Sequence, residues 1–517
     1  MKKILAVLLA AMMVLSLFVA CGNQEEEKES QKLSEVRFDS FAVGYGKAEI
    51  TPDPKSQIML VGNNDHTTRL STSVVEPLWA TCVAFTDTEG ETVLLFGADL
   101  HGAEKNSVKK LRKAIEEATG IPGDHVQFNP SHTHSGPSQG ESAIGSVRES
   151  DEYILEQCTK AAIDALESRK PAKMYTSFCR PENMNFLRHY ITTDGTYVGE
   201  GAGNIPGEER LGHMEKADNL MQLVKFTREG EKDIVLINWQ AHPTQFNKDH
   251  INYTALSSEN VGIMRRVLLE KAGVESVFIQ GGEGDVVSAS IIAEEKIYND
   301  YKTSGTALAE AAIAAFDDFQ EAETGNIEFV TEQVRLGEFS FELGAFGFGD
   351  LGFAYQPFEA FQTLSMAVKE QSPYTMTFFC GLQNNSYGYL PDEMAYTYPV
   401  YETVATFVPQ GSGEAVRDKL LSMLNDCFTK SGQTQKEKAE GYIMDHSPKS
   451  NGYTYKVTSQ SEAIEGKNKH YQVKLDLNGS LTTVLVWDKA LADEILQQDT
   501  VKLLFDERNI AVEIDKS

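Results

Sequence analysis

The fold is decided by residues 93–137, which read VLLFGADLHGAEKNSVKKLRKAIEEATGIPGDHVQFNPSHTHSGP. The first eight residues form an apolar run typical of a buried strand, and residues 103–119 follow with apolar side chains spaced along one helical face. Gly120 and Pro122 end that helix, and residues 125–129 form a second strand. A strand, a helix and a strand joined by short loops predict a βαβ unit with parallel strands.

The second strand of this unit leads into a polar turn, Ser131-His132-Thr133-His134-Ser135-Gly136-Pro137. Polar and catalytic loops collect at the carboxyl ends of parallel strands. Two histidines that flank one extended residue place both imidazoles on the same side of the backbone, which is a common way to offer nitrogen ligands to zinc. For His132 the alternative is a loop histidine bonded to backbone. The pattern is compatible with His134 either as a second ligand or as an acid–base group next to the metal.

The alternation of strands and helices continues downstream and predicts an α/β (mixed α+β) catalytic body. Helices are predicted over 151–168 and 258–271, and strands over 174–178, 223–226, 234–239 and 277–280. One of these strands ends at Ala241-His242-Pro243, and another ends in the glycine-rich turn at 281–285. That turn lacks the spacing of a Walker motif or a dinucleotide fingerprint, so we interpret it as a tight turn.

After about Gly441 the pattern changes to short strands between turns, which predicts a small antiparallel β module. The strands are predicted over 453–457, 470–477, 481–487, 501–505 and 510–514, after a linker at roughly 430–452. The module is either a carbohydrate- or surface-binding unit or a cap on the body. The predicted divisions are a signal peptide (1–20), a flexible charged tether (21–37), a hydrolase domain (38–440) and a β domain (441–517).

The N-terminus predicts a bacterial lipoprotein. Lys2 and Lys3 precede an apolar stretch at 4–19 that is short for a membrane-spanning helix. Phe18-Val19-Ala20-Cys21-Gly22 reads as a lipobox, with Phe18 where Leu is usual. Cleavage before Cys21 and lipidation of its thiol would anchor the protein on the outer side of a membrane. A simple secretory signal, in which Cys21 is incidental, is the alternative.

The net charge of the chain argues against one class of partner. The formal net charge is −29 and the pI is about 4.8, so the surface repels phosphate backbones and we expect no nucleic-acid partner.

Five cysteines follow Cys21 and none has metal-binding spacing. We interpret them as buried small apolar residues: Cys82, Cys158, Cys179, Cys380 and Cys427.

Three further residues are weak candidates for a site when each is taken alone. His242 follows a buried strand and precedes a proline, a position that a core histidine also occupies. Glu359 is an acid within an aromatic run, where it is either solvated or specially paired. Tyr389 is an aromatic residue in a turn. Their order along the chain, together with the His-Thr-His turn, gives them more weight.

In that order the chain resembles the neutral/alkaline (non-lysosomal) ceramidase family. The resemblance runs from about Phe41 to Phe407. Its specific motifs are Gly44-Tyr45-Gly46-Lys47-Ala48-Glu49-Ile50-Thr51-Pro52 and Ser131-His132-Thr133-His134-Ser135-Gly136-Pro137. The weaker, collinear ones are Pro77-Leu78-Trp79-Ala80, Asp99-Leu100, His242, Gly284-Asp285, Pro357-Phe358-Glu359 and the stretch from Asn384 to Glu402.

The resemblance implies a hydrolase with one zinc ion per chain, acting on a ceramide-like acyl amide. By residue-by-residue carry-over, the implied zinc ligands are His132, His242, Glu359 and Tyr389. The implied catalytic residues are His134 beside the metal, Tyr401 on the substrate carbonyl and Arg188 near the site.

The chain also departs from the family. Gly284-Asp285-Val286-Val287 replaces the family's Gly-Asp-Val-Ser, with Ser288 one residue later. Another N-acyl amide or an ester therefore stays open as the substrate, and so does a lipid- or glycan-binding lipoprotein without catalysis. The aromatic run from Phe341 to Phe361 is either core packing or an apolar lip for an acyl chain.

Overall fold

The structure of the protein is a computed structural model that describes residues 32–60, 69–137, 147–192, 197–200, 210–246, 253–291, 297–443, 449–450, 452–465, 471–486, 488–506 and 510–516. The predicted signal peptide and the predicted lipidation site Cys21 lie outside the described residues. In the ranges given, no helix combines the length and the apolar character that crossing a membrane requires.

Helices and strands alternate along most of the chain. The α-helices are α1 Lys105–Thr119, α2 Val147–Glu167, α3 Glu259–Ala272, α4 Tyr301–Ala314, α5 Gln362–Gln371, α6 Ser412–Lys430 and α7 Lys489–Ile495. Strands β1–β15 are Ala42–Glu49, Ser73–Val74, Trp79–Thr86, Thr92–Ala98, Val126–Pro130, Lys170–Cys179, Phe186–Leu187, His189–Thr192, Tyr197–Gly199, Arg210–His213, Met221–Arg228, Ile234–Trp239, Ala255–Leu256, Glu275–Gln280 and Val286–Val287. Strands β16–β22 are Gln320–Ala322, Glu328–Leu336, Phe339–Phe348, Leu351–Tyr355, Glu359–Ala360, Met376–Cys380 and Tyr389–Leu390. Strands β23–β30 are Lys449–Ser450, Tyr455–Lys456, Glu462–Glu465, Tyr471–Leu477, Ser480–Val486, Thr500–Val501, Leu503–Phe505 and Ala511–Ile514.

The main sheet has the order β14-β12-β11-β6-β1-β3-β4-β5, with β16 also paired to β6. The predicted βαβ unit is confirmed: β4 and β5 are parallel, Leu94 lies opposite Val126, and α1 connects them. A second unit, β12-α3-β14, pairs Ile234 with Glu275 in parallel. The remaining pairs on the path are antiparallel, so the mixed fold class predicted from the sequence is confirmed.

The two ends of the main sheet approach each other instead of lying apart. A Cβ atom added to Gly97 of β4 would lie 2.3 Å from the carbonyl oxygen of Phe278 in β14. Only glycine permits this close backbone approach. The carboxyl ends of β5 and β12, which carry His132 and His242, are therefore brought toward one another.

A second sheet, β17-β18-β19-β21, packs beside the first and contains most of the aromatic run. Seven aromatic residues in and after it are at most 1% exposed and belong to hydrophobic clusters: Phe341, Phe346, Phe348, Phe353, Tyr355, Phe358 and Phe361. The interpretation as an apolar acyl lip is therefore wrong, and core packing accounts for the run. Strands β20 and β22 form a separate parallel pair that places Glu359 opposite Tyr389.

The C-terminal strands form the sheet β23-β29-β30-β27-β26-β24-β28, with β25 paired to β26. All its pairs are antiparallel except β27 with β30, and it carries the short helix α7, which the sequence analysis did not predict. Leu485 and Ile510 pack into one cluster with Leu187 and Tyr197 of the body. The module thus covers part of the body, although the predicted domain boundary itself stays a prediction.

The predicted linker at 430–452 is partly packed. The side chain of Tyr442 is 3% exposed, its hydroxyl donates to Gln222 Oε1 over 2.5 Å, and it accepts a hydrogen bond from the Thr377 amide over 3.0 Å. Tyr442 therefore fixes the chain to the body before the C-terminal sheet begins. Four of the five predicted buried cysteines are buried, and Cys179 is half-buried.

Candidate metal centre

Two strand ends and one parallel strand pair supply the candidate ligands of the site. His132 follows β5 with a φ of 66°, in the left-handed region that few non-glycine residues adopt. Its amide donates to the Leu100 carbonyl over 2.9 Å, which holds the turn to the end of β4. His242 follows β12, and Glu359 and Tyr389 come from β20 and β22.

Two buried amide side chains join the strand ends that carry the histidines. The Gln280 side chain donates to Ser131 O over 3.1 Å and to Ala241 O over 2.9 Å, so it bonds the residue before each histidine. Asn129 accepts from the Gln280 backbone amide over 2.7 Å. Both side chains are fully buried, and buried polar groups of this kind fix a unique arrangement once they are satisfied.

The three best candidate ligands converge on one point. His242 Nε2 lies 3.1 Å from Glu359 Oε2, and His132 Nε2 lies 3.5 Å from the same oxygen. All three candidate ligand atoms lie within 4.8 Å of one another. Two imidazole nitrogens and one carboxylate at this separation form a donor set that suits zinc.

Backbone carbonyls orient both imidazoles toward that point. His132 Nδ1 donates to His101 O over 2.7 Å, and His242 Nδ1 donates to Glu283 O over 2.8 Å. With Nδ1 protonated in each ring, the lone pair of Nε2 faces the centre. Metal-binding histidines almost always make such a second hydrogen bond, so the residues present fit a zinc ion.

The electrostatics of the cluster also favour a cation. Burial raises the pKa of the Glu359 carboxyl, but the neighbouring His132 and His242 more than offset this, and the pKa lies well below its ordinary value. Burial, with Arg188 nearby, lowers the pKa of His242 to about 4. A carboxylate therefore faces a neutral imidazole, which are the protonation states that metal ligands need.

Tyr389 and Tyr401 meet at the side of this cluster, where their hydroxyl groups share a hydrogen bond. Arg188 Nη2 donates to the Tyr401 hydroxyl over 3.1 Å and to Gly284 O over 2.6 Å, while its Nε donates to Glu402 Oε1 over 2.7 Å. The structure thus brings together all the residues named from the sequence, with Tyr389 next to Glu359 in register. The roles assigned to them stay predictions.

His134 lies close to the centre together with a histidine that the sequence analysis missed. His134 Nε2 is 3.2 Å from His132 Nε2, and burial lowers the pKa of His134 well below its ordinary value, with a further lowering from His132. The ring of His101 lies 4.5 Å from that of His132 and 4.9 Å from that of His134. The available signal was the position of His101 directly after the β4 strand end.

Two buried acids near the centre were also missed. Glu283 is fully buried, and neither of its carboxylate oxygens has a hydrogen-bond partner among the described residues. Burial and the nearby Glu359 raise the pKa of Glu283 well above its ordinary value, so its surroundings favour the protonated carboxyl. Glu402 is fully buried against Arg188. Only its place in the Tyr-Glu pair at 401–402 could have suggested it.

The His-Thr-His turn is supported from behind by the start of α3. Thr133 Oγ1 donates to Ser257 O over 2.8 Å, and Ser135 Oγ donates to Glu259 Oε1 over 3.2 Å. Arg69 Nη1 donates to His134 O over 2.5 Å. Glu259 has a φ of 50°, and strained backbone of this kind persists where the surroundings fix it.

The departure at Val287 and Ser288 has a structural consequence. Val287 forms a parallel bridge with His242. The Ser288 hydroxyl donates to the His242 carbonyl over 2.7 Å, and the residue is 1% exposed. The hydroxyl of Ser288, one residue after the family's serine position, is therefore used to hold the loop that carries His242.

Comparison with solved structures finds a similar fold in two ceramidase structures. A crystal structure described as neutral ceramidase from Pseudomonas aeruginosa has a TM-score of 0.59 and 14% sequence identity, covering 84% of this chain and 84% of that chain. A structure described as a ceramidase complexed with C2 has a TM-score of 0.61 and 13% identity, covering 86% of this chain and 89% of that chain. No protein-family model matches the chain, and no curated protein matches it. The chain therefore has a neutral-ceramidase-like fold, as the motifs predicted.

Proposed function

We propose that this protein is a zinc-dependent amide hydrolase that cleaves an N-acyl sphingoid, ceramide-like amide into a fatty acid and an amine. The observation that carries the proposal is the convergence of His132 Nε2, His242 Nε2 and Glu359 Oε2 within 4.8 Å of one another. This donor set lies in a fold similar to that of two ceramidase structures.

The proposed metal is one zinc ion per chain, held by His132, His242 and Glu359 with Tyr389 as the fourth protein ligand. Bound zinc supplies a Lewis acid and lowers the pKa of water to about 7. Tyr389 supports this assignment because it lies opposite Glu359 in the β20–β22 pair. Burial raises the pKa of Tyr389 well above its ordinary value, so its phenol is neutral, and its oxygen would be the atom that holds the zinc.

His134 is the proposed proton carrier. Burial lowers the pKa of His134 well below its ordinary value, so the ring is neutral before water attacks and is a strong acid once it has taken the proton of that water. The same ring then donates that proton to the nitrogen of the departing amine. Positioned acid–base groups of this type contribute about 10²–10⁴-fold to rate.

Tyr401 and Arg188 are the proposed groups that stabilise the developing oxyanion. The Tyr401 hydroxyl is fixed between Tyr389 and the Arg188 guanidinium, so it needs no reorganisation as charge develops on the substrate oxygen. Preorganised donors in a buried site are worth about 10²–10³ in rate each. Arg188 in turn depends on Glu402, which is its charge partner over 2.7 Å.

The substrate assignment rests on the fold and on the motifs shared with the ceramidase family. One observation favours another N-acyl amide or an ester as a second candidate. Val287 stands where the family has a serine, and the Ser288 hydroxyl is bonded to the His242 carbonyl. The group that the family's serine would present to the substrate is therefore replaced by an apolar side chain.

The proposed location is the outer side of a bacterial membrane, with a lipid anchor on Cys21. The motif at 18–22 supports this. Metabolic labelling with a fatty acid in a bacterial host tests it, and we expect label on the wild-type chain and none on Cys21→Ser. If neither chain carries label, the N-terminus acts as a simple secretory signal and Cys21 is not lipidated.

The central experiment measures metal content and release of fatty acid from a labelled ceramide. We expect about one zinc per chain and hydrolysis in the wild type, and neither in His132→Ala. His125→Gln is the matched control, because this histidine directly precedes β5, the strand that His132 follows, contacts the Thr92 carbonyl at the start of β4 and lies outside the site. Bound zinc without ceramide cleavage would favour another acyl amide or an ester as the substrate. Zinc without turnover on any of these would favour a lipid- or glycan-binding lipoprotein, and no metal in the wild type would overturn the proposal.

A further inference from the structure

Three apolar side chains near the candidate site are exposed, and two of them lie close together. Val404 is 86% exposed, Phe407 is 61% exposed and Phe339 is 43% exposed. Phe339 begins β18 beside the β17–β18 turn, whereas the other two belong to the segment 401–408. The rings of Phe339 and Phe407 lie 6.4 Å apart, so two distant parts of the chain build one apolar surface.

This surface is built directly on the candidate site. The Val404 amide donates to Tyr401 O over 2.9 Å, and Thr406 Oγ1 donates to Tyr389 O over 2.8 Å. A bridge between Gly388 and Thr406 closes the turn. Val404 and Phe407 therefore extend from a segment that begins with Tyr401 and is hydrogen-bonded to Tyr389.

A basic cavity of about 210 Å³ lies beside the apolar surface. Its lining includes Ser340 and Phe341, which directly follow Phe339. Three cations and one carboxylate line it, Lys105, Lys109, Arg112 and Glu342. Glu342 is engaged by Arg112 in two hydrogen bonds of 2.8 Å.

The charge of this cavity is opposite to that of the whole protein. Its lining carries three positive charges and one negative charge, whereas the chain has a net charge of −29. Both lysines are exposed on the first half of α1. An anion that enters the cavity would meet them while an attached apolar chain lies against Phe339 and Phe407.

We propose that this face docks on a bilayer that contains anionic phospholipids. In this arrangement Val404, Phe407 and Phe339 enter the acyl-chain boundary, and Lys105 and Lys109 contact lipid phosphates. Exposed apolar clusters mark interaction sites, and basic residues at an anionic membrane each strengthen binding about fivefold. The inference rests on the proposed function in one respect only, namely that the membrane is the source of the substrate.

The test uses the full chain with Cys21→Ser, which cannot be acylated, and reads insertion from tryptophan fluorescence. Phe407→Trp is placed in this background, and Leu481→Trp is the matched control. Leu481 is exposed to 47% in the C-terminal sheet. Vesicles contain phosphatidylcholine with brominated acyl chains and phosphatidylglycerol. The N-terminal segment tethers both variants equally, so the quenching difference reports which face meets the lipid.

We expect bromine to quench the indole of the Phe407→Trp variant, and not that of the Leu481→Trp variant. Adding Lys105→Glu and Lys109→Glu should raise the phosphatidylglycerol vesicle concentration for half-maximal quenching by at least about 25-fold. The same changes should have little effect in pure phosphatidylcholine. Equal quenching at the two positions, or none at either, would overturn the inference. A dimer abolished by Phe407→Asp, without quenching, would assign the surface to a second copy of the chain.

The quenching assay needs neither metal nor turnover, so its failure is separate from failure of the proposed function. We expect His132→Ala to keep the Phe407→Trp quenching while it loses hydrolysis. A chain that cleaves ceramide without quenching would contradict the membrane face alone. A chain that is quenched and cleaves no acyl amide would contradict the enzyme assignment alone.

Discussion

The buried pair of Arg188 and Glu402 allows a quantitative test of how the site is held. Glu402 is fully buried and Arg188 is 7% exposed. Burial raises the pKa of the Glu402 carboxyl, but Arg188 and His189 together with a backbone hydrogen bond more than offset this, and the pKa lies below its ordinary value. Arg188→Met keeps most of the side-chain volume but leaves this carboxylate without its guanidinium. Breaking a buried pair from one side costs about 3–5 kcal/mol, and we expect the free energy of unfolding to fall by that amount.

The assay is denaturant and thermal unfolding of four proteins: the wild type, Arg188→Met, Glu402→Gln and the double variant. Because the double variant removes both charges, we expect it to be more stable than either single variant, with a coupling of at least about 2 kcal/mol. The exposed pair of Lys170 and Glu231, with both side chains 42% exposed, is the matched control and should contribute about 0–1 kcal/mol. If the losses in free energy of unfolding caused by Arg188→Met and Glu402→Gln simply add in the double variant, the reasoning is refuted.

Four further outcomes are expected. His134→Gln should keep the metal and lower the rate of hydrolysis by about 10²–10⁴-fold, measured by metal content and steady-state kinetics. A chelator should lower the melting temperature of the wild type and leave that of His242→Ala unchanged. If zinc was present at 1,000 times its Kd, its removal lowers the free energy of unfolding by about 4 kcal/mol. Burial raises the pKa of Glu259 from its ordinary value of 4.5 to about 8. The folded state therefore holds a proton that the unfolded state releases, and stability falls as the pH rises through that window; Glu259→Gln should flatten the pH dependence of the melting temperature. Ile510→Ala should cost about 2–5 kcal/mol and lower turnover through the cluster beside Arg188, whereas Leu481→Ala, at an exposed position, should do neither.

The sequence could predict those parts of the fold whose signals are local. The βαβ unit follows from an apolar run and a helical repeat within 45 residues, and the structure confirms it. The pairing of β20 with β22 could not be predicted, because each strand has two residues and no periodicity. The burial of Tyr442 within the predicted linker could not be predicted either, because it depends on contacts with Gln222 and Thr377, which are distant in the sequence.

Site residues could be predicted where the local sequence pattern is itself typical of a metal site. They could not be predicted where their importance depends on neighbours that are distant in the sequence. His132 and His134 form a visible pair at a strand end, and shared motifs added the remaining candidates. His101 and Glu283 have no motif in a single sequence, and Glu402 appears only as the last residue of the weak motif from Asn384 to Glu402. They become notable only when the fold brings a third imidazole beside two others or buries a carboxyl completely.

The two halves of the site depend on different parts of the fold. Backbone carbonyls and the Gln280 amide hold the histidines, and all of these belong to strands of the main sheet and their ends. The tyrosines depend instead on Arg188 and its partner Glu402. The chain around that pair packs in the same cluster as Leu485 and Ile510 of the C-terminal sheet. Damage to the C-terminal sheet should therefore weaken the positioning of Tyr401 while the histidine geometry persists, so that metal binding and turnover respond separately to changes in the two regions.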